Sequence, residues 1–95
     1  MNKYEMTVVF KPIFEEEALK AELEKVTGLV DRFGGTVEKV DEWGKRRLAY
    51  EIQKINEGYY YFITFQSPAD APAEIERRMR IMESILRYLI VRLDG

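Results

Sequence analysis

Lys45, Arg46 and Arg47 form the one run of three basic residues in the chain, and adjacent positive side chains are what contact with phosphate requires. A solvated charged loop is the plainer reading of such neighbours, and the run alone does not separate the two. Arg87 and Arg92 near the end of the chain, Lys3 at its start and Lys54 between them would extend the run into a basic track if the fold gathers them. Other charged groups have structural explanations. Glu15, Glu16 and Glu17 precede a periodic apolar stretch, where the partial positive charge of a helix N-terminus accounts for them better than paired catalytic carboxylates. Arg77, Arg78 and Arg80 alternate with Glu74 and Glu76 as a salt-bridged solvent face does. The chain has no Cys and no His, so disulfides, thiolate metal sites and the commonest neutral-pH acid–base group are excluded. An enzyme is not expected, nor a cofactor, a metal or a small-molecule substrate.

Overall charge argues against a polyanion partner, since the net value is −2 and the pI about 5.3. Its distribution says more. Residues 1–44 carry 6 basic and 10 acidic side chains, whereas residues 45–95 carry 9 basic and 7 acidic, so a polyanion meets the second half first. Ninety-five residues with 46% hydrophobic and 34% charged side chains make one globular domain, 1–95, that hides only roughly 60 to 65% of its unfolded surface. The start, MNKYEMTVVFKP, has too short an apolar run for a secretory signal, and no stretch reaches the approximately 20 apolar residues that span a bilayer. A soluble cytoplasmic protein with no membrane partner is expected.

Positioning these groups falls to six elements. Tyr4, Met6, Val8 and Phe10 alternate with Glu5, Thr7 and Val9, the period of a strand with one face in a core, and Pro12 closes it. From about Glu15 the apolar residues Leu19, Leu23, Val26, Val30 and Phe33 fall at spacings of 4, 3, 4 and 3, one stripe of a helix, with Gly34-Gly35 as its stop. Thr36 to Ile52 reads as extended, with Val37, Val40, Leu48, Tyr50 and Ile52 as inward candidates. Val37 and Val40 have opposite parity, and Trp43-Gly44 interrupts, so a bulge or kink is expected. Asn56-Glu57-Gly58 is a turn signal ahead of the β-rich Tyr59 to Phe65, which completes a hairpin. Ser67-Pro68-Ala69-Asp70 resembles a capping sequence, with Ser67 as N-cap, for a helix carrying Ile75, Met79 and Met82 and stopping near Glu83-Ser84. Ile85 to Arg92 closes the chain as a strand.

The order β-α-β-β-α-β, with right-handed crossovers, gives an α+β ferredoxin-like sandwich, a four-stranded antiparallel sheet with two helices on one face. If Tyr4, Met6, Val8, Phe10, Tyr61, Ile63, Phe65, Tyr88 and Ile90 face the helices, the open face receives Thr7, Val9, Tyr60, Phe62, Thr64, Leu89 and Val91. So apolar a face is a partner surface, carried by Val9, Tyr60, Phe62, Leu89 and Val91.

Gly44 to Ile52, GKRRLAYEI, resembles the Gly-x-basic-polar-Leu-Ala-Tyr-x-Ile signature of the bacterial small-subunit ribosomal protein six family. Lys3-Tyr4-Glu5, Val37-Glu38-Lys39-Val40, Gly58-Tyr59 and Arg80-Ile81 are similar to the same family at matching offsets, so the resemblance covers nearly the whole chain. It implies a structural, cytoplasmic component of the small ribosomal subunit that binds the central domain of 16S rRNA cooperatively with ribosomal protein eighteen. It also implies that Lys45, Arg46 and Arg47 contact RNA or that partner, that Lys3 and Tyr4 are further candidates, and that Leu48, Tyr50 and Ile52 pack or orient the strand. Some relatives carry a longer C-terminal tail, and contacts made by such a tail are not expected here.

Two other classes share the fold. A stand-alone RNA-recognition-motif protein would use Gly58-Tyr59-Tyr60-Tyr61-Phe62 as its third-strand aromatic motif, but Glu57, Tyr60 and Thr64 depart from it. A small-molecule-sensing oligomer would pair through the open sheet face. An acylphosphatase-type enzyme would need an anion-binding turn after the first strand, and Phe10 to Phe14 offers none.

Overall fold

The computed structural model describes residues 1–93; the last two residues of the expected 1–95 domain lie outside the described ones. The elements are β1 (Asn2–Phe10), α1 (Glu16–Arg32), β2 (Thr36–Ile52), β3 (Ile55–Ser67), α2 (Ala71–Arg80) and β4 (Ile85–Arg92). All strand pairings are antiparallel, in the order β2-β3-β1-β4. This is the expected ferredoxin-like sandwich.

Period 2 in β1 holds as read. Tyr4, Met6, Val8 and Phe10 enter one buried cluster with Tyr61, Ile63 and Phe65 of β3, and against it pack Leu19, Val26 and Val30 of α1 and Ala71, Ile75 and Met79 of α2. Both helices therefore cover the same sheet face. Fully burying such aliphatic side chains stabilises the fold by roughly 1.5 to 3 kcal/mol each. Tyr4 stacks on Phe65 with ring centroids 5.5 Å apart, and Phe10 meets Tyr61 edge-on at 5.8 Å. Tyr88 and Ile90 pack on the margin of the same cluster.

Three boundaries differ from expectation. The hairpin turn is Gln53-Lys54, both with positive φ (54° and 64°), and not Asn56-Glu57-Gly58, which is already part of β3. Two left-handed residues give the turn a twist that matches the strands, the geometry that usually selects Asn-Gly; here tertiary pairing imposes it on Gln-Lys. Helix α2 begins after Asp70 rather than at Pro68, because Ser67 is still the last residue of β3 and its hydroxyl donates to the Pro68 carbonyl (3.0 Å) instead of capping the helix. Its end falls at Arg80, and Met82 packs against the core from the following turn.

Strand β2 is continuous but irregular. Its register against β3 shifts between Val37 and Lys39, between Glu42 and Gly44, and between Arg47 and Ile52. At the second shift Trp43 is the extra residue and Gly44 takes φ +76°, so the expected interruption is a bulge inside one strand. At the third, residues 48–51 stand opposite Asn56 alone. Period-2 reasoning fails there: Leu48 is buried while Tyr50, of the same parity, is 61% exposed. Tyr50 is thus not an inward residue, and Val40 is also exposed.

Candidate functional site

The open face of the sheet is the side away from both helices. Cross-strand partners share a face, and the register aligns Thr7 with Phe62 and Leu89, Val9 with Tyr60 and Arg87, and Glu5 with Thr64 and Val91. Leu89 and Val91 are exposed large apolar side chains, and Tyr60 and Phe62 are half-buried. A groove of about 220 Å³ runs between Thr7, Val9, Tyr60, Arg87 and Leu89. Val9 itself is 0% exposed; it lines the floor and is withdrawn as an accessible partner residue. The cause is the neighbouring strand, whose Gly58 lets the hairpin lie directly against the Val9 side chain.

Toward the hairpin the aromatic and basic residues interleave. The Trp43 ring meets Phe62 edge-on at 4.9 Å, pushed onto this face as the extra residue of its bulge. Arg46 folds back over Trp43, with its guanidinium 5.2 Å from the ring centroid and its Nε donating to the Trp43 carbonyl (3.1 Å). Lys45 lies on the opposite face, its ammonium 5.4 Å from the centroid of Tyr59, which pairs with Phe10 and packs against the helix-side core. Arg87, on the open face, places its guanidinium 5.9 Å from the centroid of Tyr50. Lys54 occupies the hairpin turn. Arg47 shares a hollow with Asn56 and Glu57 at the base of that turn. Sequence reasoning missed Trp43 and Tyr50 as members of this cluster. An exposed Trp beside a basic run was the available signal, but its direction depended on the bulge.

Among the described residues, no carboxylate lies within 4 Å of the charged atoms of Lys45, Arg46, Arg47, Lys54 or Arg87, in contrast to Lys25 with Glu22, Lys39 with Asp41 and Arg77 with Glu74. Among the described residues these five cations therefore form no direct ion pair.

The rest of the expected basic track lies elsewhere. Lys3 is six residues from Val9 along β1, so it stands about 20 Å from Arg87, which pairs with Val9. It bridges to Glu38 at 3.5 Å, and Glu38 also accepts from Gln66 at 2.6 Å. Arg92 pairs with Tyr4 and so leans toward the helix side, where its Nη2 donates to the Asn2 side chain (3.2 Å). Tyr4 is 7% exposed with its ring in the core; only its hydroxyl reaches the rim, accepting from Asn2 Nδ2 (3.2 Å), and it is withdrawn as a contact residue.

On the helix side, the Tyr61 hydroxyl donates to Glu42 Oε2 (3.1 Å) at the edge of β2, and burial together with that carboxylate pushes its pKa up to about 12. Among the described residues no three acidic side chains gather where a metal ion could be held.

Fold and surface together define a ferredoxin-like α+β protein with an apolar open sheet face beside a basic hairpin. The family model for ribosomal protein S6 matches residues 3–92. The small ribosomal subunit protein bS6 of Alkaliphilus oremlandii is 48% identical over 94 residues, covering 99% of each chain, and that of Clostridium acetobutylicum is 48% identical over the same length. The crystal structure of 30S ribosomal protein S6 from Thermotoga maritima superposes with a TM-score of 0.91 at 31% identity, covering 97% of this chain and 87% of that one. The chain belongs to the ribosomal protein S6 family. It is accordingly a structural protein of the small subunit, located on the ribosome in the cytoplasm, and not an enzyme.

Proposed function

We propose that this chain binds the central domain of 16S rRNA cooperatively with ribosomal protein eighteen. One observation carries the reading: Lys45, Arg46, Arg47, Lys54 and Arg87 have no carboxylate within 4 Å among the described residues and gather at the hairpin end of the sheet, with Arg46 and Arg87 on its apolar open face and Lys45 and Arg47 on the other. Their charge is available to phosphates, and releasing the counterions they hold drives association with RNA. The apolar part of the face, Tyr60, Phe62, Leu89 and Val91, suits a protein partner. Because the chain is acidic overall, a basic partner seated there offsets repulsion and completes a site that the hairpin cannot make alone.

The stand-alone RNA-recognition reading is less well supported. It needs stacking aromatics on the central strand β1 as well as on β3, whereas β1 offers Glu5, Thr7 and the fully buried Val9 to the open face. The test is titration of a central-domain rRNA fragment with this chain, with and without protein eighteen. Weak binding alone and much tighter binding with the partner is the expected result. Equal, tight binding in both arms rejects cooperativity, and no binding in either rejects the RNA reading.

A further inference from the structure

Tyr50 sits in a position that neither the core nor the apolar patch explains. It lies in the third irregularity of β2, where residues 48–51 face Asn56 alone, and it exposes 61% of its surface. The contact that orients it is Arg87, reaching from β4 with its guanidinium 5.9 Å from the ring centroid. An exposed tyrosine has no hydrophobic reason to be held in the open, and a guanidinium with no carboxylate within 4 Å among the described residues has no ion-pair reason to stay beside it. Together they present a flat π surface and, next to it, a planar cation. That combination recognises an unpaired nucleotide: the base stacks on the aromatic ring, and the cation takes the adjoining phosphate.

We infer that Tyr50 and Arg87 form a stacking site for one unpaired RNA nucleotide. The inference rests on the RNA-binding reading above and sharpens it, since it moves one contact from the basic triplet to a residue that carries no charge. Arg87 reaches from β4 to Tyr50 of β2, the two strands at opposite edges of the sheet. Double-stranded RNA has no free base to offer, so the site selects a bulge, loop or strand end.

The experiment compares wild type, Tyr50→Leu, Tyr50→Phe and Arg87→Gln, each with protein eighteen, in binding to the central-domain rRNA fragment. A parallel titration with protein eighteen and no RNA serves as control. Loss of one base stack is expected to weaken RNA binding of Tyr50→Leu by roughly five- to a hundredfold, while Tyr50→Phe stays within about twofold of wild type because the ring is kept. Arg87→Gln lowers the slope of log K against log salt by somewhat under 1. Ultraviolet irradiation should crosslink Tyr50 to a single nucleotide. Wild-type affinity for Tyr50→Leu overturns the inference, as does equal weakening by Tyr50→Phe, which would assign the effect to the hydroxyl. A deficit of Tyr50→Leu that already appears in the RNA-free titration overturns it in favour of a protein contact. Failure of wild type to bind the fragment at all rejects the RNA reading instead, so the two failures are distinguishable.

Discussion

A methyl group at Gly58 would stand 2.5 Å from Cγ1 of Val9 and 2.9 Å from the carbonyl oxygen of Phe10. Strand β3 can therefore lie against the end of β1 at this point only without a side chain, and the whole hairpin beyond it inherits its position from that contact. Because β1 ends at Phe10 opposite Tyr59, the strand ladder from Gly58 to the Gln53-Lys54 turn is formed by the β2–β3 pairing.

Gly58→Ala is expected to destabilise the protein by roughly 1 to 3 kcal/mol, the usual cost of overpacking, since the obstacles include backbone. Urea denaturation measures it. Unchanged stability would mean that the strands separate here without penalty and that glycine is not required.

Gln53→Asn combined with Lys54→Gly is expected to stabilise. Both residues hold positive φ, a conformation that costs most side chains about 1 kcal/mol and suits Asn-Gly in a two-residue hairpin turn. A gain of about 1 kcal/mol in thermal or chemical denaturation is the predicted outcome. A loss would show that the two side chains make compensating contacts.

Tyr61 predicts an alkaline weakening. Its folded pKa is raised to about 12 by burial and by the adjacent Glu42, so the folded state favours the neutral phenol. The contribution is full below the unfolded value of about 10 and is lost as pH rises through 12. Stability measured across this window should fall more steeply for wild type than for Tyr61→Phe, which near neutral pH gives up one hydrogen bond, about 1 kcal/mol or less. Parallel curves would remove Tyr61 as the source.

Arg46→Glu with Arg47→Glu should leave thermal stability within about 0.5 kcal/mol per site, because both side chains are exposed. The double variant is expected to weaken assembly with the rRNA fragment and protein eighteen by tenfold or more and to reduce its salt dependence. Assembly at wild-type affinity with an intact fold would acquit these residues.

Much of the architecture was legible because periodicity is a local property. Alternation in β1, the 4-3-4-3 stripe of α1 and the β-branched run of β4 each depend on side chains a few residues apart, and all three elements form where those patterns lie. The turn and the start of α2 were misplaced because Asn56-Glu57-Gly58 and Ser67-Pro68 carry local signals that tertiary pairing overrides: Gly58 is glycine for the sake of Val9, and Ser67 is held to the end of β3.

The sequence by itself determined the order of elements, the absence of thiol and imidazole chemistry, and the basic triplet within a family signature. Only the tertiary structure decided which of the basic residues act together. Lys3 and Arg92 belong to one end of the sheet while Arg87 joins the hairpin at the other, because antiparallel pairing sets distance along the strand and parity sets the face. The signature GKRRLAYEI divides for the same reason. Its register shift buries Leu48 and leaves Tyr50 exposed beside Arg87; unlike the bulge that Trp43-Gly44 signalled, this shift between Arg47 and Ile52 has no local mark and exists only as a mismatch between two paired strands.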